Sequence, residues 1–399
     1  MAFLERRFVA LYAALFSVFI LFGASMTLVG AILPRIFTDF HWSYVEAGIV
    51  LAGGSVGLFV GTYIAGRALR ALGVRTLLLA ALVLDAVGLA FFGMSPSVLL
   101  NFVLYFAVGL GQGFMEVGVD WSTVRMSGEA DARPMSLVHG AFSIGAMVAP
   151  LVVGILLAAH IEWSLAYRFV AGLFLALIFA VLFLPFDRLG RDERPHEQEE
   201  SPIRNPAYWL GFAVLFLYVG VEIGVSNWCA EYFVQVFGRG PETAALMVSL
   251  FWGGMLAGRL GIPLFLPKAK TGQLLVVLSI AFALSAGLLL ATGLVGSAAF
   301  WLGVVAILLT GLSASCIYPS AMTLAGQAFP NHQGPAIGFA ATGGAVGCFV
   351  FPFAMSGISS GAGLVAGFGF YALIAILGAA AAIALASVVH SRAAGHKSE

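Results

Sequence analysis

Residues 98–123 read VLLNFVLYFAVGLGQGFMEVGVDWST, and the only charges in that run are Glu116 and Asp120. A helix rises about 1.5 Å per residue, so this stretch is long enough to cross a bilayer core of about 30 Å. The run is continuously apolar before the acids, without the inside/outside alternation of a membrane barrel strand. A lone strand leaves its backbone groups unsatisfied in lipid, so the segment is predicted as a membrane helix. An ionised carboxylate in such a helix costs roughly 2.5–3.5 kcal/mol on insertion scales, which marks both acids as working residues.

The rest of the chain repeats this pattern. Of 399 residues, 61% are hydrophobic and 10% charged, against about 25% charged in soluble domains. Mean hydropathy is +1.02. Twelve spans are expected, at 8–33, 43–65, 76–94, 98–123, 136–158, 165–185, 207–233, 243–264, 272–292, 297–325, 334–356 and 363–388. The first is too long for a signal-peptide core and is retained as a spanning helix. The 49 glycines suit close helix contact in a membrane.

Net charge is zero, which gives no case for nucleic-acid binding. Cys229, Cys316 and Cys348 lie inside apolar runs without paired spacing and are read as packing residues. With twelve spans both termini share a side. That side holds 16 of the 19 Lys and Arg residues, leaving Arg35, Arg168 and Arg239 opposite. The excess makes the termini cytoplasmic and the protein a multi-pass component of the plasma (inner) membrane.

A polar stretch over 187–206, with charges of both signs and Pro195 and Pro202, is expected as a cytoplasmic linker. It separates an N-terminal six-helix half, 1–186, from a C-terminal half, 207–399. The halves echo each other. Gly109-Leu110-Gly111 leads by seven residues to Glu116, and Gly311-Leu312-Ser313 leads by the same interval to Tyr318. Gly145-Ala146 with Pro150 matches Gly344-Ala345 with Pro352. Such repeats suit two pseudo-symmetric halves of one transporter.

These features resemble the major facilitator superfamily across the whole chain. Gly66-Arg67-Ala68-Leu69-Arg70-Ala71-Leu72-Gly73-Val74-Arg75 is similar to its glycine- and arginine-rich loop after span 2, with Arg70 where an aspartate is usual. The run from Gly109 to Asp120 resembles the acid-bearing fourth helix of the fucose–proton symporters. Leu137 to Pro150 and Leu217 to Trp228 resemble the fifth and seventh helices of the related sodium-dependent glucose transporters. The resemblance implies an all-α major facilitator fold and cation-coupled symport of a sugar, with substrate and ion meeting near the midplane between the halves. One departure is Gly30, within the span where the fucose symporters carry an aspartate.

Six acids fall in or against spans: Glu46, Asp85, Glu116, Asp120, Glu222 and Glu231. Glu116 and Asp120, four apart, share a helix face with Gln112 one turn earlier. They are the cation-coupling candidates, able to exchange H⁺ or ligate Na⁺; the alternative for Asp120 is a pair with Arg125. His139, near the start of span 5, can meet this stripe and exchange protons near neutrality. Glu222 and Asn227 can hold sugar hydroxyls, and the Trp228 indole can cover sugar C–H groups. Together with Gln112 and His139 they form the substrate-binding set. The alternative for Trp228 and Tyr232 is an interfacial aromatic belt. Glu46 and Glu231 are expected near the outer surface, hydrated, and Arg259 as a cytoplasmic anchor or gate partner. Trp121, Phe142, Trp252 and Tyr318 are candidate cavity walls.

The leading expectation is a secondary active symporter of a sugar or similar small hydroxylated solute, driven by H⁺ or Na⁺. It needs no cofactor and is expected to be a monomer in the bilayer. A proton-coupled exporter of lipophilic compounds is the rival, on the partial pattern Gly145, Ala149-Pro150 and Gly154. A receptor or scaffold has no use for acids along an internal path. No nucleophile–base or metal-ligand cluster points to an enzyme, and no Gly-x-x-x-x-Gly-Lys-Ser/Thr phosphate loop exists.

Overall fold

A computed structural model describes residues 8–127, 133–189, 205–266, 269–329 and 333–395. Most of the expected linker, 190–204, lies outside the described residues, as do Arg6, Arg7, Arg191, Arg194, Arg204, Lys268 and Lys397. The described residues form thirteen α-helices and no strand. They are α1 (Val9–Phe40), α2 (Tyr44–Leu72), α3 (Val74–Phe91), α4 (Val98–Ser127), α5 (Arg133–Ala158) and α6 (Ser164–Phe183). After them come α7 (Pro206–Phe237), α8 (Pro241–Phe265), α9 (Thr271–Val295), α10 (Phe300–Ala314), α11 (Ile317–Ala328), α12 (Gln333–Ala362) and α13 (Leu364–Gly395).

Eleven stretches among the described residues are long and apolar enough to cross a membrane. The ninth is a 58-residue run, Thr271–Ala328, which takes in α9, α10 and α11. Span 10 is therefore two helices, interrupted at Ser315 and Cys316. α1 also outruns expectation and continues through Pro34 to Phe40. A proline ring strikes the carbonyl four residues back, yet α5, α8 and α12 likewise run through Pro150, Pro263 and Pro352, as membrane helices held by their neighbours can. The arginine-rich motif after span 2 is mostly helix as well. Only Gly73, at φ +80, turns the chain between α2 and α3.

The helix ends follow local chemistry. Ser43 and Glu46 form a reciprocal capping box on α2: the Ser43 amide donates to Glu46 at 2.7 Å, and the Glu46 amide donates to the Ser43 hydroxyl at 3.3 Å. Glu46 is thus a cap. Asn205 accepts from the Ala207 amide at 3.1 Å to start α7, with Pro206 in the first turn.

The chain divides into two compact units, Met1–Pro195 with Pro241–Ser249, and His196–Gly240 with Leu250–Glu399. In unit 1, α1 packs on α5, α2 on α4 and α3 on α6. In unit 2, α7 packs on α12, α8 on α10 and α9 on α13. The same pairing order therefore recurs within each unit.

Close approach in these pairs depends on glycine. A Cβ on Gly57 or Gly61 of α2 would strike the α4 backbone at Phe106 or Leu110. A Cβ on Gly109 of α4 would strike the α2 backbone at Gly54. Lipid tails are as apolar as leucine, so such interlocking contact is what holds membrane helices together. The pattern recurs in unit 2, where Gly311 of α10 meets the backbone of Phe251 and Gly343 of α12 that of Phe212.

Substituting Gly109→Val should destabilise unit 1, in the range of about 1–3 kcal/mol typical of overpacking. Gly172→Ala on α6, where no atom lies within 4 Å of an added Cβ, should leave stability unchanged or slightly raised. Thermal unfolding of the purified protein in detergent compares them; equal midpoints for both variants would refute the packing argument.

Candidate functional site

Unit 1 gathers its polar residues on α4, facing α1 and α5. Gln112 is buried, and its Nε2 donates to the Ser25 hydroxyl of α1 at 2.9 Å. One turn on, Glu116 is half-buried and within electrostatic range of both Asp120 and His139. Asp120 Oδ1 lies 3.2 Å from His139 Nε2 of α5. Both members of that pair keep partial access, with side chains 36% and 45% exposed respectively. An aromatic wall flanks them: Phe19 meets His139 edge-on at 5.3 Å, and Phe22 meets Phe142 at 5.0 Å. Arg125 is turned elsewhere. Its Nε donates to the Leu189 carbonyl at 3.1 Å, so the basic partner of Asp120 is His139.

The arrangement follows from sequence. Residues 112, 116 and 120 fall on one face at a spacing of four. α5 approaches α1 closely because Gly145 leaves its Cβ position to the Ile20 backbone and Gly23 leaves its own to that of Phe142. Those contacts bring His139 to the stripe. They also give Gly145 a plain packing role, and the Cβ position of Gly154 faces Glu242 and Leu246 at the start of α8, within the same unit. Packing therefore accounts for the glycines of the partial exporter pattern.

Unit 2 builds a second polar centre around the interruption between α10 and α11. Breaking a helix frees carbonyls, and a buried carbonyl must find a donor. Two side chains supply one each: the Tyr218 hydroxyl of α7 donates to the Ala314 carbonyl at 2.8 Å, and Arg259 Nε of α8 donates to the Ser315 carbonyl at 3.3 Å. Glu222, one turn beyond Tyr218 and only 6% exposed, lies within hydrogen-bond range of that hydroxyl and feels the Arg259 charge. Arg259 is thus a neighbour of Glu222 inside the unit, a position that its place near the end of an apolar run concealed. Tyr218 was missed as well, although its spacing of four from Glu222 put it on the same face.

Asn227 is buried and its amide makes no hydrogen bond among the described residues. Trp228 is fully buried. Tyr232 is too, donating to the Leu289 carbonyl at 2.8 Å with its ring 4.0 Å from that of Phe368. Neither of these aromatics occupies an exposed belt. Trp252 is buried and donates to Ser226 at 2.8 Å. Glu231 is 1% exposed, which corrects the expectation that it is hydrated at the surface; its place is inside the helix packing of unit 2. Asp85, on α3, is buried as well.

The Major Facilitator Superfamily model matches residues 15–352. Protein TsgA of Salmonella arizonae is 25% identical over 388 residues, spanning 94% of this chain and 95% of that protein. Among solved structures, the nucleoside transporter NupG superposes with a TM-score of 0.77 at 14% identity, covering 94% of this chain and 99% of its own. A D-xylose–proton symporter gives 0.74 at 17% identity, covering 94% and 96%. The inward-open xylose transporter XylE from E. coli gives 0.73 at 12%, covering 92% and 94%. An all-helical, lipid-solvated chain matched across most of its length by this model belongs to the Major Facilitator Superfamily: it is an integral membrane transporter of a small molecule, and not an enzyme.

Proposed function

We propose that the protein is a cation-coupled symporter of a sugar or similar small hydroxylated solute, working by alternating access. The observation that carries this reading is the α4 acid stripe, half-accessible and joined to His139 at 3.2 Å inside a lipid-length helix. A carboxylate–imidazole pair with partial water access can take a proton from one side and release it to the other. An imidazole beside the acids can relay a proton, which favours H⁺ over Na⁺ as the coupling ion. Glu116 and Asp120 are then the coupling residues, with Gln112 and His139 bordering them.

In unit 2, Glu222 and the uncommitted Asn227 amide are the groups suited to solute hydroxyls, with Trp228 as apolar backing. Arg259 holds the Glu222 charge and the broken helix end in one arrangement. The substrates of the D-xylose–proton symporter and the nucleoside transporter, one a sugar and the other sugar-containing, agree with a hydroxylated solute. The exporter reading gains nothing from the glycines, which packing explains.

The same reading takes Thr271–Ala328 as two crossings, outward through α9 and back through α10 and α11, with the turn at Gly296 (φ +80). That gives twelve transmembrane helices, two duplicated sets of six joined by a cytoplasmic linker at 187–206. Both termini are then cytoplasmic, in the inner membrane, and the working unit is a monomer.

Uptake into proteoliposomes, run across a sugar and nucleoside panel under separately imposed pH and Na⁺ gradients, tests the proposal. Accumulation should follow the inward proton gradient. Accumulation driven by Na⁺ alone would reassign the ion, and no uptake of any hydroxylated solute would reject the substrate class. Glu116→Gln should abolish accumulation while counterflow exchange persists; concentrative uptake at the wild-type level would remove Glu116 from coupling. Asn227→Leu should weaken solute affinity about 10- to 100-fold, the loss expected when a buried hydroxyl is left unpaired at about 1–3 kcal/mol. Its thermal midpoint should stay near wild type, because the amide has no hydrogen bond among the described residues to lose. Unchanged affinity would exclude Asn227 from the solute site.

A further inference from the structure

Asp85 has no place in the mechanism above, and its surroundings are unusual. It is 0% exposed, and neither carboxyl oxygen has a hydrogen-bond partner among the described residues. One oxygen packs so tightly on α4 that a Cβ on Gly111 would strike it. The polar groups facing it come from three other helices: Ser25 on α1, Tyr105 on α4 and, beyond Tyr105, Tyr167 on α6. Among the described residues no Lys, Arg or His of α1, α2, α4 or α6 pairs with it.

An ionised carboxylate accepts only and needs donors. Ser25 has a single proton, and the Phe22 carbonyl 3.0 Å away competes with Asp85 for it. A dry carboxylate without a counter-charge and short of donors is among the least favourable species a protein interior can hold. A carboxylic acid fits the same space, and its O–H has an acceptor beside it in the Ser25 oxygen. That oxygen also receives the Gln112 amide at 2.9 Å, which ties Asp85 through Ser25 to the residue one turn from Glu116.

We propose that Asp85 is a proton-binding site distinct from the α4 acids. The carboxyl keeps its proton while α1, α3 and α4 are closed around it, and gives it to water when those helices part. In that step the acid O–H bond breaks, the proton leaves on water and a hydrated carboxylate remains. The site stands whether or not Glu116 couples transport, since protonation is read directly.

Infrared spectroscopy of the protein in lipid tests it. At neutral pH the wild type should show a carboxylic-acid carbonyl band that Asp85→Asn lacks and Glu116→Gln retains. The band should shift in heavy water and disappear reversibly as pH is raised. Ser25→Ala, which removes the acceptor, should shift the band to higher frequency, and this variant serves if Asp85→Asn fails to fold. Three outcomes overturn the proposal: a wild-type spectrum identical to that of Asp85→Asn, a band indifferent to Ser25→Ala, or one that neither exchanges deuterium nor titrates. The last would make Asp85 a sealed structural acid.

Discussion

Lipid offers no hydrogen bonds, and everything in this chain follows from that shortage. Backbone groups must be satisfied within helices. Helices cannot gain by hiding apolar surface from a solvent that is equally apolar, so they associate through close contact and inward-facing polar groups. Glycine makes the contact possible at α2–α4, α1–α5, α8–α10 and α7–α12. The same contacts decide which polar side chains meet. His139 reaches Asp120 only because α5 is allowed against α1.

The interruption of span 10 illustrates the rule in reverse. Opening the helix at Ser315 and Cys316 frees carbonyls where no water can be assumed, and Tyr218 and Arg259 are spent on Ala314 and Ser315. Arg259 then stands between a backbone acceptor and the Glu222 charge. Any movement of α10 against α11 changes what Arg259 can hold, and so changes the field at Glu222. Unit 2 thus couples a helix break to an ionisable group through a single guanidinium, whose donors are fixed in one plane and cannot serve both partners in every geometry.

Much of the architecture was legible because membrane helices announce themselves by length. Eleven of the expected spans each coincide with one helix and span 10 with the pair α10 and α11, and Gln112, Glu116 and Asp120 fall four apart on one helix, as the periodicity required. What could not be read depends on contact across helices. No local pattern says that Arg125 turns to Leu189 or that Glu231 is enclosed. None reveals that Ser25, an unremarked serine in a long apolar run, receives Gln112. The proline at 34 misled because a proline normally ends a helix in water, whereas α1, like α5, α8 and α12, runs through one. The break at Ser315–Cys316 does carry a signal, Pro319, which has no amide to donate to the Ser315 carbonyl four residues back; the long apolar run around it hid the interruption.

The two classes of acid in unit 1 make the final distinction. Asp120 is partly exposed and lies against His139, and Glu116, one turn away, is half-buried beside the same pair. Asp85 is fully buried, with no cation beside it among the described residues, which is the setting of the proton proposed for it. Both classes hang on the same α1–α4 contact, since Ser25 links Asp85 to Gln112 and Gln112 precedes Glu116 by one turn. A motion that separates α1 from α4 must therefore disturb both at once. It hydrates the buried acid and frees the Gln112 amide in one displacement, so the occupancy of one proton site cannot be independent of the geometry of the other.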